Sequence, residues 1–69
     1  MKILVAERLK ELMKESGVTQ YALAKAIGMR QSNVSEWLSQ KKEPSIKSLW
    51  LLADFFDVDI DFLIGRKNY

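Results

Sequence analysis

The sequence predicts an all-α domain built from five short helices. In each of five segments, apolar residues recur at the spacing of one helical face. Side chains suited to capping helices stand before three of these segments, and glycines follow three of them. These three observations favour short amphipathic helices that each bury one face against a shared core.

Each helix is placed by its apolar face and its end signals. Helices are expected over residues 5–15, 19–27, 31–39, 45–56 and 59–64, followed by a short tail at residues 66–69. Thr19, Ser45 and Asp59 are the expected N-caps of the second, fourth and fifth helices. The predicted core-facing residues are Val5, Leu9, Leu12, Met13, Leu23, Ala24, Ile27, Val34, Trp37, Leu38, Ile46, Leu49, Leu52, Ala53 and Phe56. With no repeat, low-complexity segment or linker, residues 1–69 are expected to form one domain.

The composition excludes several classes of site. The 69 residues include no cysteine and no histidine, which removes disulfides, thiolate metal ligands and the usual general base at neutral pH. There is no glycine-rich phosphate loop, and the aspartates from Asp54 to Asp61 do not have the spacing of an EF-hand calcium loop. We therefore expect no enzymatic activity, cofactor, metal or small-molecule ligand.

Charge is distributed unevenly along the chain. Residues 1–47 contain nine Lys and Arg against five Glu, a net charge of +4, whereas residues 48–69 contain two against four Asp, a net charge of −2. The basic part suits a polyanionic partner, and ordinary solvated surface charge is the alternative. No segment reaches the roughly 18 consecutive apolar residues of a membrane span, so we expect a cytoplasmic protein.

Residues 19–39 contain the most specific pattern in the chain. They read TQYALAKAIGMRQSNVSEWLS, two amphipathic helices joined by a tight turn at Gly28, Met29 and Arg30. The second helix has small polar side chains at its beginning and bulky apolar ones behind them. Two helices crossing at a glycine-containing turn are typical of the helix-turn-helix unit, whose second helix enters the major groove of DNA. Ala24 supplies the short side chain that a close crossing needs.

This pattern extends over nearly the whole chain and resembles a known family. Residues 7–65 are similar to the lambda-repressor-like, or Cro/repressor-type (XRE), helix-turn-helix domains. The matching segments are RLKELMKESGVTQYALAKAIGM, QSNVSEWL and PSIKSLWLLADFFDVDIDFLIG. The resemblance implies a compact five-helix domain that binds double-stranded DNA. It also implies a transcriptional regulator, expected to be a repressor acting as a dimer on a palindromic operator.

The chain departs from the pattern of this family at three places. Arg30 stands where the family commonly has a Ser or Thr that caps the recognition helix, so a cap is lost and a cation is gained. Ser39 and Gln40 replace a common Asn-Gly pair, so the backbone there need not turn in the same way. The third departure is aromatic character where polar residues are expected, at Trp50, Phe62 and Tyr69.

The resemblance assigns the first turns of the third helix to base reading. Gln31 is the main candidate, because a glutamine amide can pair with both N6 and N7 of adenine. In lambda-type repressors the corresponding glutamine is braced by the one that opens the second helix, here Gln20, which also reaches a phosphate. Solvated amides at exposed helix starts are the alternative. Ser32, Ser35 and Glu36 complete the base-reading set, with Glu36 either accepting from cytosine N4 or remaining a surface charge.

The candidate phosphate ligands surround the same helix. Arg30, Lys41 and Lys42 flank it on both sides, where the DNA strands are expected to pass, and ordinary loop charge is the alternative for the lysines. Asn33 lies on the first exposed turn and can bond a phosphate. The full set is Gln20, Arg30, Asn33, Lys41 and Lys42.

A second surface is expected on the fourth and fifth helices. A domain this small makes little contact with a single DNA half-site. Two-fold dimers increase the contact by reading two half-sites about 34–36 Å apart. Trp50 falls off the core stripe of the fourth helix, and Phe62 and Ile64 need not fit inside the core. We predict a homodimer through Trp50, Phe62, Ile64 and Tyr69, the alternative being that the aromatic side chains fold back onto the core.

A protein-interaction module on the same fold, such as an antitoxin-like or anti-repressor partner, is the alternative function. Glu36 and Glu43 near the expected DNA face, and the low net charge of +2, favour it. RNA is a less suitable ligand, since the deep and narrow grooves of A-form helices do not admit a reading helix.

Overall fold

The computed structural model describes residues 2–68, and all regular structure in this range is helical. Each observed helix boundary lies within one residue of the predicted one, and the all-α, five-helix architecture is confirmed. No helix in this range is long and apolar enough to cross a bilayer. The helices are α1 (Val5–Ser16), α2 (Gln20–Ile27), α3 (Gln31–Leu38), α4 (Ile46–Phe56) and α5 (Ile60–Ile64).

Side-chain caps start two of the helices as predicted. The Thr19 hydroxyl accepts a hydrogen bond from the Ala22 N–H at 3.1 Å. At the start of α4, the Ser45 hydroxyl accepts one from the Ser48 N–H, also at 3.1 Å. Each bond satisfies a backbone donor that the first turn of a helix leaves without an internal partner.

One fully buried aliphatic side chain from each helix enters a common core. The five are Leu9, Leu23, Val34, Leu52 and Leu63. Val5, Ala24, Ile27 and Trp37 are also buried in this cluster. The half-buried side chains that pack against it include Leu12, Met13, Leu38, Leu49 and Phe56. Because every helix contributes to one cluster, no helix can detach from the core without exposing buried side chains of the others.

The predicted core face of α4 is wrong at Ile46, which is 82% exposed. Six residues at about 100° per residue place Ile46 roughly 120° around the helix from Leu52, well away from the centre of the buried face. Ser48 occupies a buried position instead. Ile46 lies one turn before Trp50, which is 63% exposed, so these two residues form an exposed apolar face of α4.

α1 and α4 pack against the α2–α3 pair. α2 packs against α3 and α4, α1 packs against α3 and α5, and α4 packs against α5. α3 therefore contacts α1 and α2, and α2 also contacts α4. This arrangement fixes the direction in which the outer face of α3 points.

The end of α5 is held against the beginning of the chain. The Arg8 guanidinium donates from Nε to the Phe62 carbonyl at 3.2 Å, and it lies 4.7 Å from the centre of the Phe62 ring. The Leu4 N–H donates to the Ile64 carbonyl at 3.0 Å. A Cβ atom at Gly65, where φ is 98°, would come within 2.7 Å of Leu4 Cγ, so this close approach requires glycine.

Residues 66–68 fold back on α5. The N–H groups of Arg66 and Lys67 both donate to the Asp61 carbonyl, at 2.7 and 3.2 Å. The prediction that Asp59 caps α5 is wrong, because its side chain bonds no backbone N–H although the residue occupies the N-cap position. The Asp59 carboxylate lies instead 3.6 Å from the Lys67 ammonium group, an opposite charge that the chain brings back beside it.

Gln40 has a left-handed backbone conformation, with φ of 65°. This conformation costs a side-chain-bearing residue about 1–2 kcal/mol, and glycine adopts it freely at some entropic cost. We expect Gln40→Gly to raise the free energy of unfolding by about 0.5–1 kcal/mol, measured by urea denaturation.

The matched control for this prediction is Ser39→Gly, since Ser39 has a right-handed φ of −86°. Glycine there increases the entropy of the unfolded chain and removes the hydrogen bond that the Ser39 hydroxyl donates to the Glu36 carbonyl at 3.3 Å, so we expect a lower urea midpoint. A midpoint for Gln40→Gly at or below the wild-type value would contradict the prediction.

Candidate nucleic-acid interface

α2 and α3 are joined by a tight turn at Gly28 and Met29. Gly28 has a left-handed φ of 74°, and the Met29 N–H donates to the Ala24 carbonyl at 2.8 Å. Ala24 is buried, which agrees with the prediction that a short side chain lets the two helices approach. The turn therefore holds α3 in a defined orientation on α2.

The start of α3 is capped by a residue inside the helix. Arg30 holds the N-cap position, but a guanidinium has no acceptor with which to bond a helix N–H. The Asn33 Oδ1 atom instead accepts from the Arg30 N–H at 3.1 Å. The missing Ser or Thr is thus partly compensated. The oxygen of Asn33 is engaged within the protein, and its NH₂ group remains for an outside acceptor.

The two faces of α3 differ in exposure as the sequence predicts. Gln31, Ser32 and Ser35 are exposed. Val34 and Trp37 are buried in the core, which confirms that the apolar residues of this helix form a packing face rather than a stacking site for bases. The outer face therefore presents one amide and two hydroxyl groups, each able to donate and to accept hydrogen bonds.

The brace expected between Gln20 and Gln31 is absent from the structure. Gln20 is half-buried at the start of α2 and Gln31 is exposed at the start of α3, and neither side chain forms a hydrogen bond within residues 2–68. Both amides lie at helix starts next to water, which can satisfy them without a contact between them. Both are therefore available to an outside partner.

The charged candidates near α3 fall into two groups. Glu36 is half-buried, and its carboxylate lies 3.8 Å from the Lys42 ammonium nitrogen, so the two charges offset each other. Arg30 and Lys41 are exposed and have no acidic partner within residues 2–68. Among the predicted phosphate ligands, the uncompensated positive charge therefore lies at Arg30, before α3, and at Lys41, after it.

Tyr21 and Lys25 are surface residues outside the predicted set of phosphate ligands, for which Lys25 is only a weaker candidate. They lie one turn apart on α2, and both are exposed, Tyr21 by 63%. Together with Arg30 and Gln31 they border a depression of about 370 Å³ between α2 and α3. The i, i+4 spacing of an exposed aromatic and a cation was readable, but its position beside α3 was not.

The residues predicted for a dimer interface differ in accessibility. Trp50 is exposed, whereas Phe62 is half-buried with the Arg8 guanidinium over its ring. Ile64 is half-buried, and Tyr69 lies outside the described residues. Phe62 thus presents less free aromatic surface than the sequence suggests.

An apolar groove lies between the N-terminal segment, α4 and the end of α5. Its volume is about 350 Å³. Its apolar lining consists of Ile3, Val5, Pro44, Leu49 and Ile64, and its charged rim consists of Lys2, Glu43 and Arg66. Leu49 directly precedes Trp50, so the groove and the exposed face of α4 are adjacent in the chain.

None of the polar candidates is buried. In residues 2–68, every buried side-chain nitrogen or oxygen has a hydrogen-bond partner. The same part of the chain contains no cluster of three acidic side chains placed to share a metal ion.

Comparison with known proteins identifies the family. A family model described as helix-turn-helix matches residues 9–63. The chain belongs to the helix-turn-helix family. Within that family it has the lambda-repressor-like (XRE) fold, as the solved structures most similar to it include repressor DNA-binding domains.

Three similar proteins show how much of this chain has a counterpart in other helix-turn-helix proteins. The chain is 31% identical over 62 residues to the uncharacterized HTH-type transcriptional regulator YobD of Bacillus subtilis (strain 168), a match covering 90% of this chain and 55% of YobD. A transcriptional regulator from Listeria innocua superposes with a TM-score of 0.88 at 31% identity, covering 94% and 61% of the two chains. The P22 c2 repressor protein, solved in complex with a synthetic operator, superposes with a TM-score of 0.85 at 25% identity, covering 91% and 96%. The chain spans about half the length of the curated relatives it matches.

Proposed function

We propose that this helix-turn-helix protein binds double-stranded DNA at a palindromic operator and represses transcription in the cytoplasm by occluding a promoter. The observation that carries the proposal is the exposed polar face of α3, presented by a helix whose opposite face is buried. The complex of the P22 c2 repressor with operator DNA, which has the same fold, supports it. A helix about 10–12 Å across fits a major groove about 12 Å wide, so we place α3 in the groove.

The side chains of α3 and its flanks divide into two proposed roles. Gln31, Ser32 and Ser35 read base edges, with Gln31 pairing to adenine. Glu36 is the weakest member of the base-reading set, because its carboxylate is already paired with Lys42. The proposed phosphate contacts, which set the position of the protein on the duplex, come from Gln20, Arg30, Asn33, Lys41 and Lys42.

The proposal is tested by selecting binding sites from a random duplex library with the purified protein at two salt concentrations. The expected result is enrichment of a palindrome with half-sites about one helical turn apart. If no sequence is enriched at either salt concentration, direct operator binding by this chain is wrong. The protein-interaction function is then the one to test, with a protein partner as the ligand.

Gln31→Ala is expected to relax the preference at one base-pair position of the selected site. A bidentate amide–adenine pair discriminates against other bases by about 1–3 kcal/mol, and alanine cannot form it. The measurement is the Kd for the selected duplex and for duplexes changed at single positions. Lys41→Gln is the control, since loss of a phosphate contact weakens binding to all sequences about equally. An equal loss on every duplex for Gln31→Ala would assign Gln31 to the backbone instead.

We also propose that the protein binds its operator as a homodimer formed through α4 and α5. Trp50 and Ile46 supply an exposed apolar face on α4, and Ile64 lines the neighbouring groove. Burial of such a face against a second copy removes apolar surface from water. Phe62 contributes at most the part of its ring that Arg8 leaves uncovered.

Trp50→Lys is expected to convert a dimer into a monomer at micromolar concentration. The substitution places a charge at the centre of the proposed apolar contact, where it has no partner. The measurement is the molecular mass in solution by sedimentation or light scattering. Tyr21→Lys is a matched control, because Tyr21 is also an aromatic residue with 63% exposure but lies on α2. An unchanged mass for Trp50→Lys, or a monomeric wild type, would contradict this interface.

A further inference from the structure

The depression between α2 and α3 has the features of a second contact site beside the base-reading helix. Its volume is about 370 Å³, and its lining consists of Tyr21, Ala24, Lys25, Met29, Arg30 and Gln31. We propose that it holds the sugar–phosphate backbone of the operator, with the Lys25 ammonium and the Tyr21 hydroxyl joining Arg30 as phosphate ligands. This inference rests on the proposed function, because it requires duplex DNA in contact with α3.

The rim of the depression is positively charged and supplies free donors. Lys25 and Arg30 both line it, and neither has an ion-pair partner within residues 2–68. The Tyr21 hydroxyl, in the same range, forms no hydrogen bond. No acidic residue lines the depression. Two uncompensated cations and one hydroxyl donor thus face a single opening, which suits an anion with several oxygen acceptors.

The floor of the depression is apolar and favours a nucleotide backbone over a free anion. Ala24 is buried and Met29 is half-buried beneath the opening. Inorganic phosphate gains nothing from apolar surface, whereas the C–H groups of a deoxyribose can pack against it. A ligand that pairs an apolar ring with a phosphate on each side therefore matches both the floor and the rim.

The position of the depression fits the path of a DNA strand. Gln31 borders the depression and is also the first residue of the proposed reading helix. A helix about 10–12 Å across in a groove about 12 Å wide has a backbone strand against each flank. The flank of α3 that faces α2 contains this depression, and Lys41 lies beyond the other end of the helix. A strand passing the start of α3 would therefore meet Lys25 and Tyr21.

The test compares Lys25→Gln and Tyr21→Phe with wild type on three probes: the duplex enriched by selection, a scrambled duplex of the same length, and polyglutamate. Both residues are exposed, so neither change disturbs the core. We expect Lys25→Gln to raise Kd roughly three- to tenfold on both duplexes and to reduce the magnitude of the salt slope by about 0.9. Tyr21→Phe is expected to raise Kd about two- to fivefold with the slope unchanged, because the lost donor is neutral.

Lys10→Gln is the charge-matched control, since it removes one exposed cation from α1, which does not line the depression. Its Kd and salt slope should match those of wild type. If Lys25→Gln behaves like Lys10→Gln while wild type still selects an operator, the backbone site is wrong and the proposed function remains. If wild type binds neither duplex, both fail. If Lys25→Gln loses affinity for polyglutamate but not for DNA, the depression belongs to an acidic protein partner.

Discussion

Leu23→Ala is expected to bring the domain close to unfolding. Leu23 is fully buried on α2, within the cluster that all five helices share. Deleting a buried leucine side chain costs about 2.7–5 kcal/mol, because the transfer free energy is lost and a cavity remains. A domain of this size has a total stability of only about 3–10 kcal/mol. Thermal unfolding followed by far-UV circular dichroism should show a Tm at least about 10 °C below that of wild type.

Leu12→Ala provides the comparison for this change. The same atoms are deleted, but Leu12 is half-buried at the edge of the core, so water can fill the space that they leave. We expect a loss of less than half that of Leu23→Ala. Equal losses for the two variants would show that burial at the centre of the five-helix cluster is not what makes Leu23 important.

Arg8→Ala is expected to lower the free energy of unfolding by about 2–3 kcal/mol, a large effect for a charged residue. The Arg8 side chain is only 15% exposed. It donates to the Phe62 carbonyl and covers the Phe62 ring, so its removal takes a charged donor from that carbonyl and uncovers an aromatic face. The Gly65 N–H, at 3.1 Å, then remains as a donor to the Phe62 carbonyl. The loss should be seen both in the urea midpoint and in faster amide exchange in α5.

Two substitutions separate the contributions of Arg8. Glu11→Gln removes its ion-pair partner, a mainly exposed carboxylate at 3.9 Å, and should change stability by no more than about 0.5 kcal/mol. Arg8→Lys keeps the charge but loses the planar fork, so we expect an intermediate loss. A loss for Glu11→Gln as large as that for Arg8→Ala would show that the ion pair, rather than the contact with α5, is responsible.

The helices were predictable from the sequence because their signals are local. The Thr19 and Ser45 caps each involve residues three positions apart, and the buried faces repeat within one or two turns. The contact between Arg8 and Phe62 joins residues 54 positions apart. No local pattern encodes such a contact. The same reason explains the error at Asp59, because Lys67 comes beside it only where the chain folds back on α5. The error at Ile46 is of another kind, since its position about 120° around α4 from Leu52 follows from the sequence spacing.

The candidate interface was predictable to a similar extent. The exposure of Gln31, Ser32 and Ser35 follows from the amphipathic pattern of α3. The pairing of Glu36 with Lys42 depends on how the chain turns after α3, and the position of Tyr21 beside α3 depends on how α2 and α3 cross. These arrangements are set by tertiary packing, so sequence periodicity alone did not reveal them.

The hydrogen bond between the Arg30 N–H and Asn33 has a consequence for how this surface can change. Since the acceptor comes from position 33, position 30 contributes only its backbone to the beginning of α3. Any amino acid except proline has that N–H. The side chain at position 30 is therefore free to vary by mutation, and the strength of a contact made there can be adjusted in evolution or by design while the helix keeps its cap.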